Sequence, residues 1–510
     1  MSQSHSLSVL SSLKGKQVFL TGVTGFLGKA ILEKLLREVS DISCIHVLVR
    51  GSQTEPAPQR FERDVMGSSI FDSLREQLGQ GFESFVHSKV NLVAGELTGS
   101  LFALDPKEFD ALSGKLDLII NSAASVNFRE ALDQALQINT LSLTNILALA
   151  KNNLKENPTP VVQVSTCYVN GFNRGVIREQ VLGPESDLID AIDADSYDIQ
   201  PVMDKLQEKI DSIKVRNTSD KKQQEKLIQL GIQQSRHYGW NDTYTFTKWL
   251  GEQLLIQGLG KQNLTILRPS IIESAITSPA PGWVEGVKVA DALIYAYAKG
   301  RVSIFPGDDS GILDVIPVDL VANSALMSAA ELLQKPMMPY HIYQCCSGRL
   351  NPIRLKDFIN HVHEASNDNY LNWPKLFASK PEHKFSTVSP QKFRLYMLAL
   401  TSFTWLRTII GRMLGSDKSK DLMDKTKTTA SLAMIFGFYT AAKYRFDSIK
   451  LEQLHSRFSL KDQKVFQVRA DVYDWKYYMQ EVHINGLHKY ALADKPEKSP
   501  AASHKKQQAA

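Results

Sequence analysis

The sequence predicts an α/β protein: a doubly wound parallel sheet with helical insertions, followed by a smaller, mainly helical C-terminal domain. Three observations lead there. Short β-rich apolar runs alternate with helical periodicity over roughly the first 350 residues, the pattern of a parallel sheet covered by helices on both faces. A glycine-rich turn, TGVTGFLG, stands between the first of these runs and an amphipathic helix. After about Leu350 the strand signals thin out and the chain becomes helical, basic and aromatic.

The candidate strands, in order, are Gln17 to Leu20, His46 to Val49, Val90 to Ala94, Leu116 to Ile120, Val161 to Val164 and Leu264 to Leu267. Six such runs with helical intervals suit a doubly wound sheet. Between Leu182 and Ser235 charges recur every few residues and β-branched residues are few. That interval, about 182–235, reads as helices inserted over a sheet edge or an active-site mouth, with a solvated surface insertion as the alternative. A boundary near Asn367 to Trp373 divides the chain into residues 1–370 and a helical part, 371–492. Within the second part, Arg394 to Leu414 is apolar almost all round, with Arg394, Arg407 and Arg412 spaced along it. It reads either as a buried helix or as one facing an acyl chain or a membrane interface. Residues 493–510, ADKPEKSPAASHKKQQAA, are expected to form a disordered tail.

Composition excludes several classes. At about 150 residues per domain, 510 residues suggest two to four domain-sized pieces. With 43% hydrophobic and 22% charged residues, the chain is neither collagen-like nor disordered as a whole. Cys44, Cys167, Cys345 and Cys346 match neither a disulfide framework nor a zinc spacing, so a reducing, cytoplasmic compartment and no metal site are expected. The N-terminus has no long apolar segment, and no stretch of about 18 residues is free of charge; neither a signal peptide nor a spanning helix is expected. A net charge of +5 is too small to point to nucleic acid. Its distribution is uneven: residues 1–350 carry 33 Lys/Arg against 39 Asp/Glu, whereas 351–510 carry 26 against 15.

The chemistry begins at the glycine turn. Gly22, Gly25 and Gly28 sit between a strand and a helix whose Leu27, Ile31 and Leu35 form one stripe. A tight strand-to-helix turn needs positive φ, a pyrophosphate needs close backbone approach, and a helix N-terminus supplies amide donors. The context therefore predicts a Rossmann-like dinucleotide site, although the spacing is G-x-x-G-x-x-G rather than G-x-G-x-x-G. The second strand ends at Arg50, where an acidic residue would accept a ribose 2′-hydroxyl. An arginine there favours a 2′-phosphate, hence NADPH; a solvated surface arginine is the alternative. Small residues Ala123 and Ala124 follow the fourth strand and would let the cofactor lie close to the backbone.

Tyr244 and Lys248 stand four apart on a predicted helix, so both project from one face. A free phenol has a pKa near 10, and an ammonium group beside it, with an oxidised nicotinamide, would lower that value. Ser165 and Thr166 lie at the carboxyl end of the fifth strand, where open α/β sheets bind substrates. A hydroxyl there can hold a carbonyl oxygen while the tyrosine protonates it. Asn139, early in a helix, is placed to hold a water near the lysine in a proton path, or else is a local cap. Cys167 beside the hydroxyl pair raises the thought of a covalent route, but no base is placed next to it.

In that order, TGVTGFLGK, NSAASVNF, VSTCYVNG, YTFTK, ILRPSI and VIPVDLVAN resemble the extended short-chain dehydrogenase/reductase superfamily over about residues 14–350. More narrowly, VSTCYVNG, LRPSIIES, the GFYT block at Phe436 to Tyr439 and the closing DVYDWKYYMQEVHINGLHKYAL resemble the alcohol-forming fatty acyl-CoA reductases with a C-terminal male sterility domain. The resemblance is to the bacterial members of roughly 500 residues. It implies Tyr244 as general acid, Lys248 as its activator and holder of the nicotinamide ribose, and Thr166, ahead of Ser165, as carbonyl-oxygen donor. Gly22, Thr24, Gly25, Phe26, Leu27 and Gly28 would line the pyrophosphate and Arg50 the 2′-phosphate. Glu96 occupies the place of an Asp that often lies near the adenine. The implied reaction is NADPH-dependent reduction of a long-chain acyl-CoA or acyl-carrier-protein thioester to a primary alcohol, through an aldehyde, in two hydride transfers. The alternatives are release of the aldehyde, another reaction of the superfamily such as that of a hydroxysteroid dehydrogenase or nucleotide-sugar enzyme, or a non-catalytic NADPH-binding scaffold. The basic second part would face an anionic thioester carrier or make a peripheral membrane contact.

Overall fold

The computed structural model describes residues 6–152, 157–215, 219–287, 289–298, 304–335, 337–377, 379–381, 384, 386–413, 433 and 435–492. Seven parallel strands form one sheet: β1 (Gln17–Thr21), β2 (Cys44–Val49), β3 (Val90–Ala94), β4 (Leu118–Asn121), β5 (Val161–Val164), β6 (Leu264–Pro269) and β7 (His341–Cys345). Their order is β3-β2-β1-β4-β5-β6-β7. The chain reverses its direction of travel between β1 and β4, and that switch point opens the crevice at the carboxyl ends of the strands where such sheets take ligands. All six predicted strands are present. The fourth starts at Leu118 because Asp117 is spent on the strand's entry: its Oδ2 accepts the Gln17 amide at 2.9 Å.

The seventh strand, HIYQC, was not foreseen, because His341, Tyr343 and Gln344 break the apolar run that marks a buried strand. It is an edge strand paired only with β6, from His341↔Thr265 to Cys345↔Pro269. The Gln344 amide on its open side donates to Glu179 Oε1 at 2.9 Å, which satisfies the edge without another strand.

Helix α1 (Phe26–Glu38) follows the glycine turn and buries Leu27, Ile31, Leu32, Leu35 and Leu36. Helix α2 (Thr243–Gly258) carries Tyr244 and Lys248, and α3 (Val318–Gln334) packs beside α1. The interval predicted as an insertion contains most of two helices, Gln200–Lys214 and Asp220–Tyr238. Their Leu206, Ile210 and Leu227 are buried in one cluster with Leu132, Trp249 and Leu250. The insertion is therefore packed on the helix that bears the candidate acid, and only its outer faces are solvated.

Beyond residue 370 the chain returns repeatedly to the sheet domain. Tyr444–Phe446 pairs in parallel with Gly175–Ile177. Leu7 bridges Phe458, and Lys34 Nζ donates to the Val465 carbonyl at 2.7 Å. A Cβ on Gly486 would overlap the Gly282 carbonyl, so glycine permits the backbones to touch. Val18 and Ile31 share one apolar cluster with Phe377, Phe446 and Tyr478. Helix α4 (Pro390–Met413) covers most of the predicted Arg394 to Leu414 segment. It buries Phe393 and Met397 and exposes Leu395, Leu398 and Leu400. The side chains of Arg407 and Arg412, together with Leu414 and the tail 493–510, lie outside the described residues. No helix among the described residues is long and apolar enough to cross a membrane.

Candidate active site

A buried row of amides and hydroxyls runs beneath the carboxyl ends of the central strands. Thr21 Oγ1 donates to Asn121 Oδ1 at 2.5 Å, and Asn121 Nδ2 to Gln163 Oε1 at 2.7 Å. Each side chain is nearly or fully buried and partnered, so the row ties β1, β4 and β5 together just below the loops that follow them.

The glycine turn sits on β1. Gly22 has φ +78°, and a Cβ there would lie 2.7 Å from Ser122 Oγ and 2.8 Å from the Ala123 amide. A Cβ on Gly28 would overlap the Gly22 carbonyl, so α1 can start this close to the turn only with glycine there. Gly25 is the N-cap of α1, and no side chain caps that helix. A helix N-terminus placed at such a turn directs amides toward an anion, the arrangement a pyrophosphate requires. Thr24 is half-buried in the turn, while Leu27 points into the core. Phe26 stacks on Trp283 with centroids 5.0 Å apart, so it can offer a phosphate only its backbone. Ala123 and Ala124 stand half-buried after β4. Arg50, just past β2, has a 62% exposed side chain, and its Nη1 lies 3.1 Å from Glu96 Oε1. The two residues expected near the adenine ribose are thus already paired with each other.

On α2, Lys248 is buried and its Nζ donates to the Val164 carbonyl at 2.7 Å. Burial brings its pKa down to about 8, opposed by the charge of Glu252. The Tyr244 hydroxyl lies near that of Thr166. Burial and the negative charge of Asp242 push its hydroxyl upward, against the lowering effect of Thr166. Tyr244 as a whole is half-buried. The lowering expected from an adjacent ammonium is not seen here: burial and Asp242 raise the hydroxyl, and Lys248 directs its proton to the Val164 carbonyl. Thr166, at the end of β5, also accepts the Tyr168 amide at 3.3 Å. The Ser165 hydroxyl is buried and has no hydrogen-bond partner among the described residues.

Asn139 lies in a π-helical turn, Gln137–Leu141, a local widening common at functional sites. Its Nδ2 donates to the Ser125 carbonyl and to Thr247 Oγ1, both at 3.1 Å, and its Oδ1 accepts the Ser125 amide at 2.9 Å. These bonds tie the loop after β4 to α2; among the described residues none joins Asn139 to Lys248. Cys167 is buried with its Sγ 2.9 Å from the Arg268 carbonyl, and burial raises its pKa to about 11, unlike a nucleophilic thiolate.

Several neighbours had no signal in local spacing. Phe128 meets Tyr244 edge-on at 5.6 Å, and also Phe436 at 5.5 Å and Tyr439 at 5.6 Å. The GFYT block thus roofs the site from more than 190 residues downstream of α2's start. Elsewhere Glu273, Asp291 and His483 bring ligand-type atoms within 4.8 Å of one another, all buried. His483 spends both ring nitrogens, on Asp291 Oδ1 at 2.9 Å and Ser274 Oγ at 2.9 Å, which makes the group a clamp between the two parts of the chain.

Comparison with known proteins agrees with this geometry. Two family models, both described as male sterility protein, match residues 20–325 and 395–494. The chain is 31% identical to fatty acyl-CoA reductase 2, chloroplastic, of Arabidopsis thaliana, over 95% of this chain and 80% of that protein. It is also 31% identical to the alcohol-forming fatty acyl-CoA reductase of Simmondsia chinensis, over 95% of this chain and 99% of that one. Plant relatives of matching length leave no support for a specifically bacterial type. Among solved structures, the terminal R domain of the myxalamid biosynthetic pathway superposes with a TM-score of 0.54 at 18% identity, covering 93% of this chain and 90% of that one. The R domain of a non-ribosomal peptide synthetase from Mycobacterium tuberculosis gives 0.54 at 17% identity, covering 94% of each chain. With a nucleotide-binding sheet, both family models matched and relatives aligned over nearly its full length, the chain belongs to the male sterility family of fatty acyl-CoA reductases.

Proposed function

We propose that this oxidoreductase uses NADPH to reduce a long-chain fatty acyl thioester, carried on CoA or acyl-carrier protein, to the primary alcohol through an aldehyde. The observation that carries the reading is Tyr244 and buried Lys248 one helical turn apart on α2, with Thr166 beside the tyrosine hydroxyl at the carboxyl end of β5. Bound NADPH supplies one hydride for each of the two reductions. Thr166 holds the substrate carbonyl oxygen, with the unpartnered Ser165 hydroxyl as a second donor. As negative charge develops on that oxygen, Tyr244 gives it a proton. In the first reduction the carbon–sulfur bond then breaks, the thiol leaves and the aldehyde remains; in the second the protonated oxygen is the alcohol. Lys248 contributes positive charge and a contact to the nicotinamide ribose. Arg50 exchanges Glu96 for the 2′-phosphate.

Residues 1–370 take the cofactor on this reading, and 371–492 the acyl chain and its anionic carrier. The exposed Leu395, Leu398 and Leu400, flanked by exposed Lys392 and Arg394, support a peripheral membrane contact in the cytoplasm. The test incubates the protein with NADPH and palmitoyl-CoA, identifies the lipid product and counts NADPH consumed. Hexadecanol with two NADPH supports the proposal. Hexadecanal with one makes the enzyme aldehyde-forming, and an active Tyr244→Phe variant removes the assigned acid.

A further inference from the structure

Beyond the aromatic roof lies a two-strand ribbon with an exposed cationic face. Gly175–Ile177 pairs in parallel with Tyr444–Phe446, and Arg445 stands opposite Val176. Successive residues of a strand point to opposite faces, so the ribbon has an inner and an outer side. Ile177, Tyr444 and Phe446 are buried on the inner side, where Tyr168 meets the two rings with centroids 6.1 and 5.1 Å away. The outer side carries Val176, 52% exposed, with exposed Arg174, Arg178, Lys443 and Arg445 around it.

These four cations make no ion pair among the described residues, and the acids close by are spent elsewhere. Asp447 pairs with Arg349, and Glu452 with Arg349 and Arg469. Asp308, whose amide bonds the Thr440 carbonyl, turns Oδ1 to the amide and hydroxyl of Ser310. The ribbon's register, carried one residue back, sets Lys443 opposite Arg174. Like charges opposite one another on paired strands destabilise a sheet, and nothing in the fold offsets them here. Both strands lead away from the candidate site. Arg174 follows Thr166 by eight residues, under about 29 Å even if fully extended, and the 3-10 turn Cys167–Asn170 shortens that path. Lys443 follows Tyr439 of the roof by four residues.

We propose that the outer face of this ribbon holds the 3′-phosphorylated ADP head of a CoA thioester, with Arg174, Arg178, Lys443 and Arg445 on its phosphates and Val176 beneath the adenine. This rests on the reading of the enzyme as an acyl thioester reductase, and it divides the carrier's site between the two parts of the chain. The pantetheine arm holds the diphosphate away from the reacting carbonyl, so the phosphates need a site removed from Thr166, as this one is. The 3′-phosphate alone carries a charge of about −2 and three strong acceptors. A lipid headgroup matches the cations only, whereas a nucleotide also offers a flat apolar face to Val176. Two strands about 5 Å apart make a narrow surface, which suits a nucleotide better than a carrier protein.

The experiment is calorimetric titration of the full chain with CoA, at saturating NADP⁺ so that the glycine turn is filled. Lys443→Ala with Arg445→Ala, and Arg174→Ala with Arg178→Ala, are each expected to weaken CoA binding by at least about tenfold. Wild-type protein is expected to bind dephospho-CoA, which lacks the 3′-phosphate, more weakly than CoA; this comparison decides if the variants do not fold. Lys221→Ala with Lys222→Ala removes the same charge from an exposed helix of the insertion and is expected to leave the affinity unchanged. No binding of CoA by the wild type, equal binding of CoA and dephospho-CoA, or ribbon variants that bind CoA no more weakly than the Lys221/Lys222 control, overturns the proposal. Ribbon variants that keep CoA affinity but raise the KM for a palmitoyl-acyl-carrier protein, or lose binding to phosphatidylglycerol vesicles, give the face to a protein or a membrane and overturn it too. Reduction of palmitoyl-CoA and of S-palmitoyl-N-acetylcysteamine, a thioester without phosphates, is followed alongside. If the wild type reduces neither, the reductase reading fails while the titration still judges the ribbon; if it reduces both and the ribbon variants bind CoA normally, only the ribbon fails.

Discussion

Removing one partner of the Arg268–Glu252 pair is expected to destabilise the fold more than any surface change. Both side chains are 1% exposed. Arg268, on β6, donates Nε to Glu252 Oε1 at 2.9 Å and Nη2 to Oε2 at 2.5 Å, and Nη1 reaches the Gln180 carbonyl at 2.8 Å. Glu252 lies on α2, one helical turn beyond Lys248, so the pair joins the helix of the candidate acid to the sheet. Arg268→Met leaves a carboxylate and a carbonyl unsatisfied, and Glu252→Gln leaves a guanidinium; each is expected to cost about 3–5 kcal/mol. Against a total stability of about 5–15 kcal/mol, that is a large fraction. The double variant Arg268→Met with Glu252→Leu fills similar space without a stranded charge, so it is expected to recover most of the loss. Urea denaturation of the wild type, Arg268→Met, Glu252→Leu and the double variant checks this as a double-mutant cycle, with Glu252→Gln measured alongside. Single variants costing under about 1 kcal/mol, or a double variant costing the sum of the two, would refute the reasoning.

Gly28→Ala forces a methyl group onto the Gly22 carbonyl and displaces the start of α1, so NADPH binding, read by its fluorescence, is expected to weaken about tenfold or more while the fold persists. Arg50→Ala is expected to raise the KM for NADPH by about tenfold and leave that for NADH nearly unchanged, since the charge-assisted contact to the 2′-phosphate is one that NADH does not make. Glu179 is buried and its pKa is pushed from an ordinary 4.5 up to about 7, burial outweighing the amides of Gln344, Lys450 and Leu451. Its folded-state value is the higher one, so its stabilising contribution is complete below about pH 4.5 and is lost as pH rises through about 7. Glu179→Gln is therefore expected to flatten the dependence of Tm on pH between those values. Lys248, held down to about 8, predicts that activity falls as pH rises through that value.

Much of the cofactor side was legible because its signals are local. A turn that needs glycine, a strand before it and an apolar stripe after it all lie within about twenty residues, and the β1–α1 unit forms as expected. Tyr244 and Lys248 were legible for the same reason, being one helical turn apart. The partners of these groups were not. Arg50 meets Glu96 across 46 positions, and Asp242 meets Tyr439 across 197. No periodicity reports such contacts. The edge strand β7 escaped notice because its polar side chains, Gln344 and Tyr343, answer to the Ile177 carbonyl and to Glu331 rather than to a solvated face.

The uneven charge along the sequence also takes on a different meaning in the fold. A net-negative first part and a net-positive second part suggest attraction between them, yet their junction is mainly apolar, with Val18, Ile31, Phe446 and Tyr478 in one cluster. The ion pairs that cross it run in both senses: Arg457 of the second part meets Glu331 of the first, whereas Arg349 of the first meets Asp447 and Glu452 of the second. At the candidate site the second part presents Phe436 and Tyr439, neutral rings and one hydroxyl, rather than cations. Apolar packing, then, joins the parts, and the C-terminal segment meets the start of α2 through the hydrogen bond from Tyr439 to Asp242.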